Sequence, residues 1–191
     1  MIVGLLLAAG GARRFGSQKL VAPFRGRPLV CHAAEALASV TDATIAVVGG
    51  NAAIVRDVLD GVVTRVAENP EWATGMASSV RAGIDALPED AEAVVIALGD
   101  QPGVDPDVAL AVIARWRESG KPIVAPRFRD GRGHPVLFAR EVFDELRSLL
   151  GDIGARQLIE RDPGRVADVL IDADVPIDVD TPQDLTRLAS P

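Results

Sequence analysis

Three six-residue runs constrain this chain more than any other feature: IVGLLL (2–7), ATIAVV (43–48) and AVVIAL (93–98). Each has the length of a strand. Side chains alternate between the two faces of a sheet, so a run apolar at nearly every position belongs to a strand covered on both faces. Helical patterns fall between them. Pro28 opens a helix through about Ser39, in the first-turn position that proline tolerates. Further helices fit residues 51–60, 75–87 and 106–119, and a further strand fits 62–67. Strand–helix alternation of this kind predicts a parallel sheet with helices on both faces.

The second half reads differently. KPIVAPRF and HPVLF flank the turn residues RDGRG, which predicts two strands with a glycine-rich connection. Helices are expected at about 141–150 and 153–161, strands at 166–171 and 175–179, and a last helix after Thr181. The expected fold is a single-domain, three-layer α/β/α, Rossmann-like sheet, mostly parallel, with an antiparallel excursion at one edge. A chain of 191 residues suits one such domain.

Composition narrows the partners. The net charge is −7, the chain has no tyrosine, and no basic stripe carries interleaved aromatics, so neither nucleic acid nor an anionic membrane is an expected partner. Met1–Ala9 is apolar but too short to span a bilayer, and it lacks the basic flank and cleavage site of a signal peptide. A cytoplasmic location is expected. The single cysteine, Cys31, allows no internal disulfide and no cysteine-rich zinc site, and its apolar helical setting makes it a buried small hydrophobe.

In open α/β sheets, ligands bind outside the carboxyl ends of the strands. The unusual residues of this chain sit there: the loop LLLAAGGARRFGSQKL (5–20), Asp100 and Asp180. A glycine-rich loop between strand and helix can turn backbone N–H groups toward phosphates. The dinucleotide pattern G-x-G-x-x-G fails here, because Ala12 or Arg13 stands where the second glycine belongs. The P-loop pattern fits at Gly11 and Gly16, then fails at Ser17 and Gln18. A tight strand-to-helix turn with exposed arginines stays open beside a phosphate cradle supplied with charge by Arg13, Arg14 and Lys19.

At LAAGGARRFGSQK the chain resembles the signature loop of the nucleotidyltransferases that move a nucleoside monophosphate from a nucleoside triphosphate. Leu7, Ala8, Ala9, Gly10, Gly16 and Lys19 match as they stand; Arg14 matches directly before Phe15, and Ala12 departs from the pattern. GMASSVRAG (75–83), ALGDQP (97–102), GHPVLF (133–138), GDIGAR (151–156) and DVDTPQDL (178–185) follow in order, and all are similar to the molybdenum cofactor cytidylyltransferase branch. The resemblance implies transfer of CMP from CTP to a phosphorylated acceptor, molybdopterin or the molybdenum cofactor, with release of pyrophosphate and a molybdoenzyme as client. It implies a nucleotide-binding half (1–102) and an acceptor-binding half (103–191). Alanine at position 9 goes with CTP in that family, and glycine with GTP.

The resemblance assigns Lys19, Arg14 and Asp100 to catalysis. It assigns Leu7, Ala8, Ala9, Gly10, Gly11, Gly16 and Lys19 to the nucleotide, and Gln101 and His134 to the acceptor. Gly75, Ser78 and Ser79, at the N-terminus of their helix, are expected to offer N–H groups or hydroxyls to the nucleotide, and Arg156 to reach an anionic acceptor. Mg²⁺ is expected on Asp100 with Asp180, and Asp178 is second choice. If 175–179 is a strand, Asp178 and Asp180 lie on one side of it. The competing view has Thr181 capping the last helix with Pro182 as its first residue, and the aspartates merely beside that cap. Met76, Val80, Ile84 and Leu87 are expected as the core stripe of their helix, and Asp152 as a cap for the helix at Ile153. Alternative readings are a transferase of this fold using GTP or another acceptor, such as an isoprenoid or F420 precursor, and a nucleotide-binding or oxidoreductase relative without transfer.

Overall fold

The computed structural model describes residues 1–191 apart from 12–14, 16–17, 153 and 190–191. The chain begins with β1 (Ile2–Ala8), a small hairpin of β2 (Pro23–Phe24) and β3 (Arg27–Pro28), α1 (Leu29–Ala38), β4 (Ala43–Val48), α2 (Ala52–Leu59) and β5 (Arg65–Glu68). It continues through α3 (Met76–Asp85), β6 (Ala93–Leu98), α4 (Pro106–Ser119), β7 (Ile123–Phe128), β8 (Gly131–Arg132) and β9 (Val136–Ala139). Last come α5 (Phe143–Arg147), α6 (Arg156–Arg161), β10 (Val166–Leu170) and α7 (Pro182–Ala189).

The main sheet runs in the order β10-β7-β9-β6-β1-β4-β5, with β8 paired to β7. β5, β4, β1 and β6 are mutually parallel, and β10 is parallel to β7. The mixed, mostly parallel α/β architecture is therefore as expected, but the longer of its two antiparallel strands is not at an edge. It is β9, inserted between β6 and β7. Every residue of β9 is buried, Leu137 and Phe138 almost completely. A strand covered on both faces gains most inside the sheet, and the edge falls to β10, whose Leu170 is 82% exposed.

A second expectation fails at 175–179, which forms no strand. The alternation there has another cause: Val179 is fully buried in a small cluster with Phe24 and Leu29, while its neighbours are polar. That cluster, with Phe15, Leu185 and Leu188, docks α7 against the β2–β3 hairpin.

Period-two alternation along β1 divides the core. Ile2, Leu6 and Ala8 join the cluster holding Val30, Ala34, Leu37 and Val112, from α1 and α4. Val3, Leu5 and Ala9 join the cluster holding Val80, Ile84, Phe143 and Leu158, from α3, α5 and α6. Burying a side chain of this size stabilises by about 1.5–3 kcal/mol. Gly83 lets α3 come close to the sheet, since a Cβ there would lie 2.5 Å from Leu5 Cδ2. Of the expected α3 stripe, Val80 and Ile84 are in the core, but Met76 is 37% exposed. It sits in the first turn, where the helix emerges at a cavity wall. Among the described residues, no helix is long and apolar enough to cross a membrane.

The chain leaves β1 toward β4 and β5, then returns to the other side of β1 as β6. Adjacent carboxyl ends are thus formed by strands whose connections diverge, and a crevice opens there. Leu7 and Leu98 pair across that point.

Candidate active site

Three residues far apart in sequence meet beyond β6. Lys19 Nζ donates to Asp100 Oδ2 at 2.8 Å and to Asp180 Oδ1 at 2.9 Å. Gly99 N–H bonds the Leu7 carbonyl at 2.9 Å, which carries the β6 ladder one residue further and sets Asp100 at the crevice. Lys19 begins a short 3-10 turn capped by Gln18, whose Nε2 also donates to the Gly50 carbonyl at 3.1 Å. The Val179 amide bonds the Asp100 carbonyl at 2.9 Å and brings Asp180 alongside.

Burial of the Lys19 side chain, 9% exposed, pushes its pKa down. The charge of Asp100 and the hydrogen bonds to Asp100 and Asp180 outweigh that and leave it above the ordinary lysine value. The ammonium is therefore a fixed charge. Two carboxylates converging on one cation form a hard oxygen donor set that suits Mg²⁺ or Mn²⁺. Among the described residues, no group of three or more His, Cys, Asp or Glu could hold a metal unaided. A cation here would complete its shell with water and phosphate, as Mg²⁺ does in phosphoryl-transfer sites.

The expected cap on α7 is present. Asp184 N–H donates to Thr181 Oγ1 at 3.3 Å, and Asp184 Oδ2 accepts from the Thr181 amide and hydroxyl at 2.8 Å each. This capping box fixes the chain just after Asp180. It explains Thr181, whereas Asp180 belongs to the lysine cluster and Asp178 to a different partner.

A cavity of about 500 Å³ opens beside Asp100, lined by Leu7, Ala9, Gly10, Gly11, Gly75 and Ser79 among others. Six residues expected to hold the nucleotide are thus brought together. Ala8 is not among them: it is buried against α1 on the other face of the sheet. Ser78 also turns inward, its hydroxyl taking a hydrogen bond from Asn69 Nδ2 at 2.8 Å and donating to main-chain oxygens. Arg14 and Gly16 lie outside the described residues.

Trp72 is a site residue that the sequence reading did not single out. Its indole covers three glycines from two loops. A Cβ at Gly49 would lie 2.5 Å from Trp72 Cβ, one at Gly11 2.8 Å from Cζ3, and one at Gly50 3.1 Å from Cη2. The glycines after β1 and β4 therefore make room for one aromatic ring at the cavity wall. Asp152 was also misplaced. Its Oδ1 accepts from the Met76 amide at 3.1 Å, so it serves the start of α3 rather than a helix at position 153, and α6 begins only at Arg156.

A second cavity, about 690 Å³, shares Leu7, Met76 and Leu98 with the first. It contains all three residues expected at the acceptor: Gln101, His134 and Arg156. Its apolar wall includes Ile96, Val136, Phe138 and Ile159; Arg127 and Arg132 add charge that the sequence reading did not assign. Arg132 makes a bidentate pair with Asp168 at 2.9 and 3.0 Å, and Arg156 pairs with Glu160 at 2.6 Å. Burial lowers the His134 pKa to about 4, against an opposing pull from the Asp100 charge, so this imidazole is neutral near pH 7. Asp178 also lines this cavity. Desolvation raises its pKa, the hydrogen bond from Gln101 lowers it, and the charges of Asp100 and Asp180 raise it further.

Comparisons with known proteins bear on family and fold. A family model described as a MobA-like NTP transferase domain matches residues 4–166. Rv0371c from Mycobacterium tuberculosis H37Rv is 36% identical and superposes with a TM-score of 0.87, over 98% of this chain and 97% of that one. A structure of Rv0371c in complex with manganese matches at 34% identity and a TM-score of 0.81, over 98% and 97%. The nicotine blue oxidoreductase of Paenarthrobacter nicotinovorans is 33% identical over 175 residues, 85% of this chain and 83% of that protein. A protein named as a molybdenum cofactor guanylyltransferase in Thermococcus gammatolerans is 28% identical over 151 residues, 75% and 74% of the two chains.

Proposed function

This chain belongs to the MobA-like NTP transferase family, and on that premise we propose that it transfers CMP from CTP to molybdopterin or the molybdenum cofactor, releasing pyrophosphate. The observation that carries the reading is the meeting of Lys19, Asp100 and Asp180, with Asp100 lining a cavity that shares Leu7, Met76 and Leu98 with a second one. The first cavity, built mainly from residues 1–102, takes the nucleotide. The second, completed by residues 103–191, takes the acceptor.

The terminal phosphate of the acceptor is already ionised near pH 7, so no strong general base is needed. One of its oxygens attacks the α-phosphorus of CTP, the bond from that phosphorus to the β-phosphate oxygen breaks, and pyrophosphate carries off the electron pair. The protein's work is alignment and neutralisation of charge. Lys19 and Arg14 supply fixed positive charge to the phosphates. Asp100 and Asp180 would hold a divalent ion, proposed as Mg²⁺, which would neutralise charge on the phosphate oxygens. Backbone groups of Gly10 and Gly11 and the wall at Ala9 and Ser79 seat the nucleotide. His134, held neutral, and Arg156 face the acceptor.

CTP is proposed over GTP on Ala9, which lines the first cavity. A second reading has one specific support, the likeness to an oxidoreductase over most of the chain. The failure of the G-x-G-x-x-G pattern and the paired carboxylates favour transfer. The test is pyrophosphate release by the purified protein with molybdopterin and each of CTP, GTP and ATP, with and without Mg²⁺. Release fastest with CTP supports the proposal; release with GTP alone moves the base assignment; no release, together with binding of a nicotinamide cofactor, replaces it. A cytoplasmic location and a molybdoenzyme client follow only if the acceptor is as proposed.

A further inference from the structure

Two neighbouring pairs tie the end of β6 to residues 178–180. Lys19 joins Asp100 to Asp180, and one residue further on, Gln101 Nε2 donates to Asp178 Oδ1 at 2.7 Å and to the Pro176 carbonyl at 3.4 Å. Buried Val179 lies between the two aspartates and holds both in place. The pairs face different spaces: Asp100 lines the first cavity, Gln101 and Asp178 the second.

Gln101 is 4% exposed, and its Oε1 is the one buried side-chain nitrogen or oxygen without a hydrogen-bond partner among the described residues. Turning the amide over does not help. Both partners of Nε2 are acceptors, so a flipped amide would set Oε1 against two oxygens. Oε1 is committed to accepting. Buried polar atoms are almost always bonded, and an orphan beside a cavity marks a place for a donor from outside the chain. Asp178, one hydrogen bond away, is likewise an acceptor when ionised. The apolar part of the cavity wall includes Leu98, Val136, Phe138 and Ile159, with Arg127, Arg132 and Arg156 elsewhere in the lining.

We propose that Gln101 and Asp178 together read the acceptor substrate, taking N–H donors from the edge of a flat heterocycle, and that Asp178 is not a metal ligand. The inference rests on the second cavity being the acceptor site. An apolar slot with two hydrogen-bond acceptors at one end selects a ring that carries adjacent amino and ring N–H groups, and discriminates against one with a carbonyl at that edge. A site built to pair polar groups rejects a mismatched analogue strongly, because its own atoms are then left unpaired.

The test uses the full chain and two simple probes. Pterin carries an amino group where lumazine carries a carbonyl; both are fluorescent, so binding is read by titration. Mn²⁺ alone is titrated by electron paramagnetic resonance. The wild-type protein is expected to bind pterin at least tenfold more tightly than lumazine. Asp178→Asn is expected to abolish that preference and to raise the acceptor KM about tenfold, with the nucleotide KM and the Mn²⁺ Kd within twofold of wild type. Gln101→Leu should do the same, with its melting temperature recorded because the site is buried. Asp180→Asn should do the reverse, weakening Mn²⁺ and leaving the pterin preference intact. Loss of Mn²⁺ binding in Asp178→Asn, an unchanged pterin preference in that variant, or no pterin binding by the wild type overturns the proposal. If the wild type binds pterin but releases no pyrophosphate with any triphosphate, the proposed reaction falls while the titrations still decide on the pair.

Discussion

Lys19 Nζ and Asp100 Oδ2 stand 2.8 Å apart, and the same ammonium holds Asp180 at 2.9 Å, so one cation bridges the two carboxylates proposed to bind metal. A divalent ion entering between them meets a charge already in place. Lys19→Met removes that competitor and should tighten Mn²⁺ binding in the absence of nucleotide by roughly tenfold, equivalent to about 1.4 kcal/mol. Turnover should fall at the same time by about 10²–10³-fold, the loss typical of removing one charge-stabilising donor. Mn²⁺ titration and steady-state kinetics check the two halves separately. Weaker Mn²⁺ binding in the variant contradicts the competition.

Trp72 and Gly11 are coupled by contact. A Cβ at Gly11 would meet only the indole, 2.8 Å from Cζ3 and 3.2 Å from Cη2. Gly11→Ala should therefore destabilise by about 1–3 kcal/mol, as overpacking does. In a Trp72→Ala background the same change should cost close to nothing. Thermal unfolding of the four proteins in the double-mutant cycle gives the coupling directly. Trp72→Ala alone should raise the nucleotide KM more than it lowers kcat, because the ring shapes the cavity wall and touches no reacting atom.

Position 9 is where the base assignment can be moved. Ala9→Gly should shift the ratio of kcat/KM for CTP over GTP toward GTP by about tenfold, the scale on which one methyl group in a pocket discriminates. Competition kinetics with both triphosphates measure it, and an unchanged ratio removes Ala9 from base selection.

His134 gives the protein an acid sensitivity whose sign is fixed. Its folded pKa, about 4, lies below the ordinary value of 6.5. Between those values the unfolded chain binds the proton and the folded chain does not, so stability is full above pH 6.5 and declines as the pH falls toward 4. The loss from this group reaches about 3 kcal/mol at most. Urea unfolding at pH 7 and pH 4.5 should show a smaller pH difference in His134→Gln than in the wild type. Equal differences would mean that the imidazole is not desolvated.

Much of the fold is legible where local signals agree. β4 and β6 match their apolar runs residue for residue. The bounds of α4 are as expected because Asp105 accepts from the Asp107 amide, Pro106 takes the first turn, and Gly120 leaves it at φ 61°. What the sequence does not show is set by distant partners. VLFA is a strand by composition, but only the strands on either side place it inside the sheet. Alternation at 175–179 looks like a strand because one valine enters a core built by Phe24 and Leu29. Asp152 precedes a helical pattern yet serves α3, 76 residues away.

The site follows the same division. The placement of Asp100, Gln101 and the glycines after strands is readable from the general geometry of α/β sheets. That Lys19 joins Asp100 and Asp180 while Asp178 turns to Gln101 depends on which side of Val179 each carboxylate leaves the chain. No spacing rule carries that information without the strand that 175–179 does not form. Trp72 was invisible for a related reason: its partners are glycines, whose value lies in what they lack.

Isotope transfer tests the central claim most directly. The protein is incubated with molybdopterin, Mg²⁺ and CTP labelled with ³²P at either the α or the γ position. The account predicts that the α label moves to the acceptor and the γ label appears in pyrophosphate, and that Asp100→Ala lowers both by orders of magnitude. Release of the γ label as inorganic phosphate with no α label on the acceptor, or no movement of either label, would contradict it.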